Sequence, residues 1–403
     1  MPSYQQLTRR QGHLTRGMLF SAIAGTLLSL PETGFATQYS LEYGVDTRYR
    51  YDDNVGLRPD DEIDVNGAIV SLPAKLTIAE ERYNAYVDSK LTTSKYDESG
   101  YNSDDQMLNL GGEYGLERGL VTGMIGIDRS STLETAFLDT GVVGATANRV
   151  EAYYANANTS YYLSPKYNFV AGASYRETDY DTNRFVDNQY AVLSLGIANQ
   201  YTEKTSIIVQ ANANRFENDA FISIESDGLG LQVGFTTLFS ERLKASMLGG
   251  YSYVETEYSA PEGITARDDD DSSSWVIDAE VEYENEQSYF SARFLRRESA
   301  SGDGYLVFSN QANSKYGHRL SERLSFEISL IAGNSGALDD RINNDRDYIE
   351  GSTKLAYRLT ESWYLSGRYV HRYQDRERDS GDANGNMFFA TFTYKPNAIS
   401  WAR

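Results

Sequence analysis

Long stretches of the chain alternate apolar and polar residues with a period of two, as strands with one apolar and one polar face must. Leu229, Leu231, Val233, Phe235 and Phe239 fall on one side, opposite Gly230, Gln232 and Gly234. Trp275, Ile277, Ala279, Val281 and Tyr283 alternate with Ser274, Asp278, Glu280 and Glu282, and Leu324, Phe326, Ile328 and Leu330 alternate with Ser325, Glu327 and Ser329. Ile207, Val209, Ala211 and Ala213 oppose Gln210, Asn212 and Asn214 in the same way. A helix needs about 20 apolar residues to span a bilayer, and no run beyond the N-terminus supplies them, so any crossing must use strands.

A recurring tetrapeptide separates the alternating runs: Leu163-Ser164-Pro165-Lys166, Tyr201-Thr202-Glu203-Lys204, Phe239-Ser240-Glu241-Arg242, Leu320-Ser321-Glu322-Arg323 and Leu359-Thr360-Glu361-Ser362. The spacing is mostly about 38 to 39 residues, or about twice that once, which suits pairs of roughly 10-residue strands joined by one short and one long connection. Weaker relatives fill the gaps at Glu80-Glu81-Arg82, Leu116-Glu117-Arg118-Gly119 and Glu284-Asn285-Glu286-Gln287. Eight short turns imply sixteen strands, and one strand at either end brings the count to about 18, with 16 as the alternative. The predicted fold is an all-β, transmembrane, antiparallel up-and-down barrel. A solenoid of this period would need helical units that the alternation excludes, and a secreted soluble sandwich lacks the asymmetry of short turns and long loops.

At the N-terminus, Arg9, Arg10 and Arg16 precede a short apolar core from Met18 to Leu30, and Gly34-Phe35-Ala36 supplies small residues for cleavage. Residues 1–36 therefore read as a signal peptide and residues 37–403 as the barrel, exported to the bacterial outer membrane. The chain has no Cys, which excludes disulfides and thiolate metal sites. Its 32 Tyr and only 7 Pro suit long paired strands, because Pro cannot donate to a ladder. Tyr153, Tyr154, Tyr161, Tyr162, Tyr364 and Tyr394 lie near strand ends, where interfacial girdles are expected.

The net charge of -21 argues against nucleic acid as a partner. The acids concentrate in the expected surface loops, between Asp52 and Asp64, Tyr96 and Asp105, and Glu255 and Asp271. Asp268, Asp269, Asp270 and Asp271 could hold a divalent cation beside lipopolysaccharide, but such a charge block more often stays hydrated. Asp382-Ala383-Asn384-Gly385 resembles a calcium loop without its terminal acid, and turn chemistry is the simpler reading. The polar faces mix signs. Glu42, Asp46, Asp88, Glu113, Asp128, Glu280 and Glu327 accompany Arg48, Arg50, Lys75, Lys90, Arg293, Lys315, Arg319, Lys354, Arg358 and Arg368, so a near-neutral or slightly basic lumen is expected. Arg48, Arg50, Lys75, Arg293, Lys315, Arg319, Lys354, Arg358 and Arg368 are the candidates for contact with a passing solute or polymer. For each of them, pairing across neighbouring strands is the competing structural role.

Only His318 and His371 follow the signal segment, and no Ser or carboxylate is tied to either by spacing. A catalytic site needs a base with an orienting partner, so no enzyme activity and no cofactor are expected.

Tyr51-Asp52-Asp53-Asn54-Val55, followed by Arg58-Pro59, closes the first predicted strand. This stretch resembles the opening of the β-barrel porin family associated with exopolysaccharide-export operons. The resemblance implies a barrel of 18 strands that passes a capsular or biofilm polysaccharide through the outer membrane. It also implies a periplasmic polysaccharide-export protein as partner. One departure is the C-terminus, where Phe388, Phe392 and Tyr394 resemble a closing strand but the chain continues to Trp401. The alternative function is a general or sugar-selective diffusion porin, whose lumen is usually narrowed by one long infolded loop. The gaps near Ser130 to Asn148 and Glu255 to Asp271 could supply it.

Overall fold

The computed structural model describes residues 37–402, apart from 134–136, 138–146, 262–263, 265–266, 340–341, 343–344 and 378–380. The expected signal peptide lies outside the described residues. Strand segments β1 (Gln38–Tyr43), β2 (Val45–Asp52), β3 (Val65–Ala79), β4 (Tyr83–Tyr96), β5 (Ser103–Leu116) and β6 (Gly119–Ser131) come first. Next are β7 (Arg149–Tyr162), β8 (Tyr167–Tyr180), β9 (Asn188–Gln200), β10 (Thr205–Asn218), β11 (Ser223–Ser240), β12 (Leu243–Ser259) and β13 (Asp270–Glu284). The chain ends with β14 (Ser288–Ala300), β15 (Leu306–Arg319), β16 (Leu324–Ala337), β17 (Arg346–Arg358), β18 (Trp363–Arg376), β19 (Asp382–Tyr394) and β20 (Ile399–Ala402).

All 20 segments belong to one antiparallel sheet. β1 and β2 both lie against β3, on either side of Gly44, so they are two halves of one barrel strand. The last strand is split in the same way: β19 pairs with β2 from Met387 opposite Asp52 to Tyr394 opposite Val45, and β20 pairs with β1. The sheet thus closes on itself with 18 strands, as the turn count predicts. The segment beyond Tyr394 completes this closure, and Trp401 stacks on Tyr39 at 5.3 Å. At the break, Gly44 donates to the Pro73 carbonyl, and a Cβ there would come within 2.9 Å of the Tyr394 carbonyl oxygen.

Every predicted short turn joins two consecutive strands at one end of the barrel. The Ser or Thr in the recurring tetrapeptide has a mechanical role, because its hydroxyl accepts from the backbone N–H groups two and three residues on. Ser321 accepts from Arg323 and Leu324 (3.3 and 3.1 Å), and Thr202 from Lys204 and Thr205 (3.2 and 3.0 Å). Ser164, Ser240 and Thr360 repeat the arrangement, and Asn285 does so through its amide oxygen. Such side-chain turns satisfy backbone donors without lengthening the connection.

Register sorts the faces. Leu193, Leu195, Ile197, Ile207, Val209, Leu231, Val233, Leu355 and Leu365 are large, apolar and exposed, and they form a continuous outer surface. Leu229 and Leu231 are 66% and 59% exposed, which in water would forfeit about 25 cal/mol per Å² of apolar surface. A band of this kind is stable against lipid. Aromatic clusters flank it, with Trp363, Phe392 and Tyr394 near the short turns and Tyr51, Phe388 and Tyr369 nearer the loops. Tyr154, Tyr162 and Tyr364 depart from the girdle expectation. Each opposes residues of the inner face, and the Tyr154 hydroxyl donates to luminal Asn109 at 2.5 Å. Asp382-Ala383-Asn384-Gly385 is also not a turn but the start of β19, held in register against β18.

Two outcomes follow. Gly44→Val should weaken closure by about 1–3 kcal/mol through backbone overlap, seen as a lower temperature for heat modification on gels; an unchanged temperature would contradict the closing role of Gly44. On intact cells, a tag inserted at Asp268–Asp271 should be accessible and one at Ser321–Arg323 should not, and the reverse pattern would invert the barrel.

Candidate pore constriction

The inner wall carries both signs of charge, and much of it is paired across strands. Arg293 forms a two-point contact with Asp278 (2.7 and 2.6 Å), Lys315 pairs with Glu327 (3.0 Å), and Arg368 lies 3.6 Å from Glu350. Lys75 sits over the Tyr86 ring at 4.7 Å, and Arg48 over Phe389 at 5.6 Å. Lys354 faces Glu327 across the β16–β17 register, while Arg319 and Arg358 lie at the short-turn ends of β15 and β17. From β7 to β11 the inner face is instead largely uncharged amide and hydroxyl, with Gln210 donating to Asn212 and Asn212 to Gln232 (2.7 and 2.6 Å).

Arg50 is not displayed to the lumen. It is 3% exposed and donates to Asp52, itself fully buried, at 2.7 Å. The same carboxylate accepts from Arg372 at 3.1 and 3.0 Å, which ties β2 to β18. The Tyr51 to Val55 stretch therefore forms a latch. Asp53 accepts from the backbone and side-chain amides of Asn386 (2.6 and 2.7 Å). Asn54 donates to the carbonyls of Arg58 and Asn384 (both 2.9 Å) and accepts from the Arg58 N–H (3.0 Å). These bonds fold the loop 53–64 inward and bury Val55 and Leu57. Leu57 is held in the left-handed region at φ 44, a conformation that costs a bulky residue about 1–3 kcal/mol. Its carbonyl accepts from buried Gln374 at 3.1 Å, which helps to hold it there.

Two residues between β6 and β7 join the same cluster from another part of the wall. Leu133 and Phe137 pack with Val55, Leu57, Val65, Tyr101, Tyr348 and Ala383. Burial pushes the Tyr101 phenol above its usual range. Phe137 meets Tyr348 edge-on at 5.8 Å, and its carbonyl accepts from Arg346, whose guanidinium covers the Phe137 and Tyr348 rings at 4.9 and 4.3 Å. Phe137, between β6 and β7 in the sequence, is thus fastened to β17 and β18, far around the barrel. Arg346, Arg372, Phe137 and Tyr348 were not candidates in the sequence. The period-two pattern of β17 and β18 could have placed Arg346, Tyr348 and Arg372 on the inner face, but it carries no signal for what meets them there.

The acidic block does not gather into a ligating group. Asp270 and Asp271 begin β13, and Asp269 accepts from the Tyr258 N–H at 3.3 Å. Among the described residues, no three carboxylates or histidines are grouped as a metal site. His318 lies on the outer face beside Tyr316 and shares a 2.7 Å hydrogen bond with Ser288, and His371 meets Asn386 at 3.1 Å.

A closed sheet with an apolar, aromatic-flanked exterior and a charged, partly obstructed interior is a transmembrane β-barrel of the bacterial outer membrane. No protein-family model and no curated protein matches the chain. Among solved structures, the chain is similar to OccAB3 of Acinetobacter baumannii, at 12% identity over 90% of this chain and 99% of that one, with a TM-score of 0.44. It is also similar to OccK2 (OpdF) of Pseudomonas aeruginosa, at 10% identity over 89% and 98% with a TM-score of 0.47. A BenF-like porin of Pseudomonas fluorescens Pf-5 matches at 9% identity over 88% and 99%, with a TM-score of 0.45.

Asp52→Asn should remove the one negative charge that two buried guanidinium groups share and cost about 3–5 kcal/mol locally. The expected readout is faster protease cutting within loop 53–64 while the strands stay protected. Wild-type cutting rates would show that Asp52 does not hold the latch.

Proposed function

We propose that the barrel is a diffusion porin for small hydrophilic solutes, sugars included. The observation that carries this reading is the fastening of Phe137, between β6 and β7, to Arg346 of β17. Side chains that meet inside the mouth from separate parts of the wall select by size, which suits passage of small molecules down a gradient. A mixed, mostly paired wall supports it further, because weak contacts let a solute leave as readily as it arrives. The candidates still available for such contacts are Arg48, Lys75, Arg293, Lys315, Arg319, Lys354, Arg358 and Arg368, with the amide sector facing them. Arg50 serves the latch instead.

Export of a capsular or biofilm polysaccharide, with a periplasmic export protein as partner, is the less favoured reading. A hydrated polymer needs an aperture clear from end to end, whereas two loops meet inside this one. The Tyr51 to Val55 stretch that suggested export is engaged in holding the first of those loops. Removal of residues 1–36 at export belongs to either reading.

Reconstituted in liposomes, the protein should admit monosaccharides and exclude dextrans in a swelling assay. Leu133→Ala with Phe137→Ala, which removes two apolar members of the inner cluster, should raise single-channel conductance by about twofold or more, and unchanged conductance would count against a constriction there. If a deletion strain lost surface polysaccharide while small-solute uptake stayed unchanged, export would be the function.

A further inference from the structure

The barrel wall is open along part of the boundary between β13 and β14. β13 pairs with β12 along its whole length, from Tyr283 to Asp270, and β14 pairs with β15 up to Ala300 opposite Leu306. Between β13 and β14, however, the ladder runs only from Glu284 opposite Tyr289 to Ile277 opposite Arg296. Above that pair the β14–β15 hairpin turns into the lumen. Its tip reaches the wall near β9 and β10: the Gly302 carbonyl accepts from the Val186 N–H (2.8 Å), and the Gly304 carbonyl from the Asn218 side chain. Gly304 has φ 89 and lies so close to Val186 that a Cβ there would collide with it at 2.7 Å. Leu306 packs with Phe216 and Val254, which sit on the inner face of β10 and β12, and Phe308 packs against that cluster. A seam is left in the wall where the hairpin departs.

One side chain threads this seam. Arg296 stands opposite Ile277 and so shares the outer face with Ile277 and Trp275, whereas Ser274 belongs to the inner face. Yet the Arg296 guanidinium donates to the Ser274 hydroxyl at 2.7 Å, as well as to the Trp275 carbonyl at 3.1 Å and to Asn310 at 2.7 Å. A hydrogen bond from an outer-face residue to an inner-face one must pass through the plane of the sheet. That is sterically open only where no ladder closes it. The guanidinium also lies over Trp275 at 4.6 Å and Phe308 at 5.0 Å. Trp275 is 49% exposed at the outer surface, while Phe308 leads to the apolar cluster inside. The path is therefore lipid, Trp275, Arg296, Phe308 and then Phe216, Val254 and Leu306. Just inside, Glu298 is 8% exposed with one carboxylate oxygen lacking a hydrogen-bond partner, which disfavours an anion on this route.

We propose that the seam between β13 and β14 is a lateral port, latched by Arg296, through which uncharged aromatic or apolar small molecules pass between the lumen and the outer leaflet. This activity is separate from diffusion of hydrophilic solutes along the axis, since its lining is apolar and its opening faces lipid.

The probe is N-phenyl-1-naphthylamine, an uncharged aromatic whose fluorescence rises on reaching the inner part of the envelope. Cells carrying the wild-type barrel should take it up faster than cells without it. Arg296→Ala should speed uptake by about fivefold, the scale of one lost cation–π latch with its hydrogen bonds, with single-channel conductance unchanged. Arg296→Lys should fall between. Equal uptake with and without the barrel would overturn the port, as would conductance that rises in step with uptake in Arg296→Ala. A second measurement does not depend on that variant. Because the chain has no Cys, single spin labels can be placed at Ser272→Cys, on the inner face of β13 above the ladder, and, behind a fully paired wall, at Gln232→Cys. The label at 272 should relax with lipid-dissolved oxygen and the one at 232 should not; equal shielding would show the seam to be closed. Failure of axial conductance alone would count against the porin reading and leave the port standing.

Discussion

A sheet in hydrocarbon has no water to satisfy its edge strands, so the pairing of the first strand with the last is the constraint on which everything else rests. Here that pairing is made in two parts, β2 with β19 and β1 with β20, with Gly44 at the break. Tight turns stitch one end through the hydroxyls of Ser and Thr. The other end is left free to carry longer segments, of which 53–64 folds into the mouth.

Closure also sets up the interior. Because β2 and β19 are neighbours, Asp53 and Asn54 at the end of β2 can seize Asn386 and Asn384 at the start of β19, while Asp52 reaches Arg372 on β18. The loop leaving β2 is thereby turned inward and forms a seat for Phe137. Buried ion pairs contribute little net stability compared with apolar packing, but breaking one leaves an expensive unpaired charge. The latch is therefore better understood as fixing a geometry than as strengthening the fold. The geometry it fixes is a narrowed mouth.

The strand number, the eight turns and the inward residues were legible because each depends on local chemistry. The period of two places Arg293 and Glu327 on one face without knowledge of neighbours, and Ser321 or Thr360 announces a turn through its own hydroxyl. Tyr154 was misplaced because aromatic residues favour both a girdle and a luminal hydrogen bond, and only register separates the two. Asp382 to Gly385 has turn-like composition but is held in a strand by its pairing with β18, a tertiary override of local preference. What no local pattern carries is contact across the lumen. Arg346 and Phe137 are 209 positions apart, and the departure of β14 from β13 is visible only as a ladder that stops. The Tyr51 to Val55 motif was legible as a resemblance, whereas its work as a latch depends on partners more than 300 residues away.

The most direct measurement of the central claim, that inward-folded loops set the aperture, is single-channel conductance in the presence of polyethylene glycols of graded size. Small glycols should enter and lower the conductance of the wild-type channel, larger ones should be excluded, and Leu133→Ala with Phe137→Ala should shift the exclusion limit upward. An exclusion limit that already matches an unobstructed 18-stranded barrel in the wild type, and does not move in the variant, would contradict it.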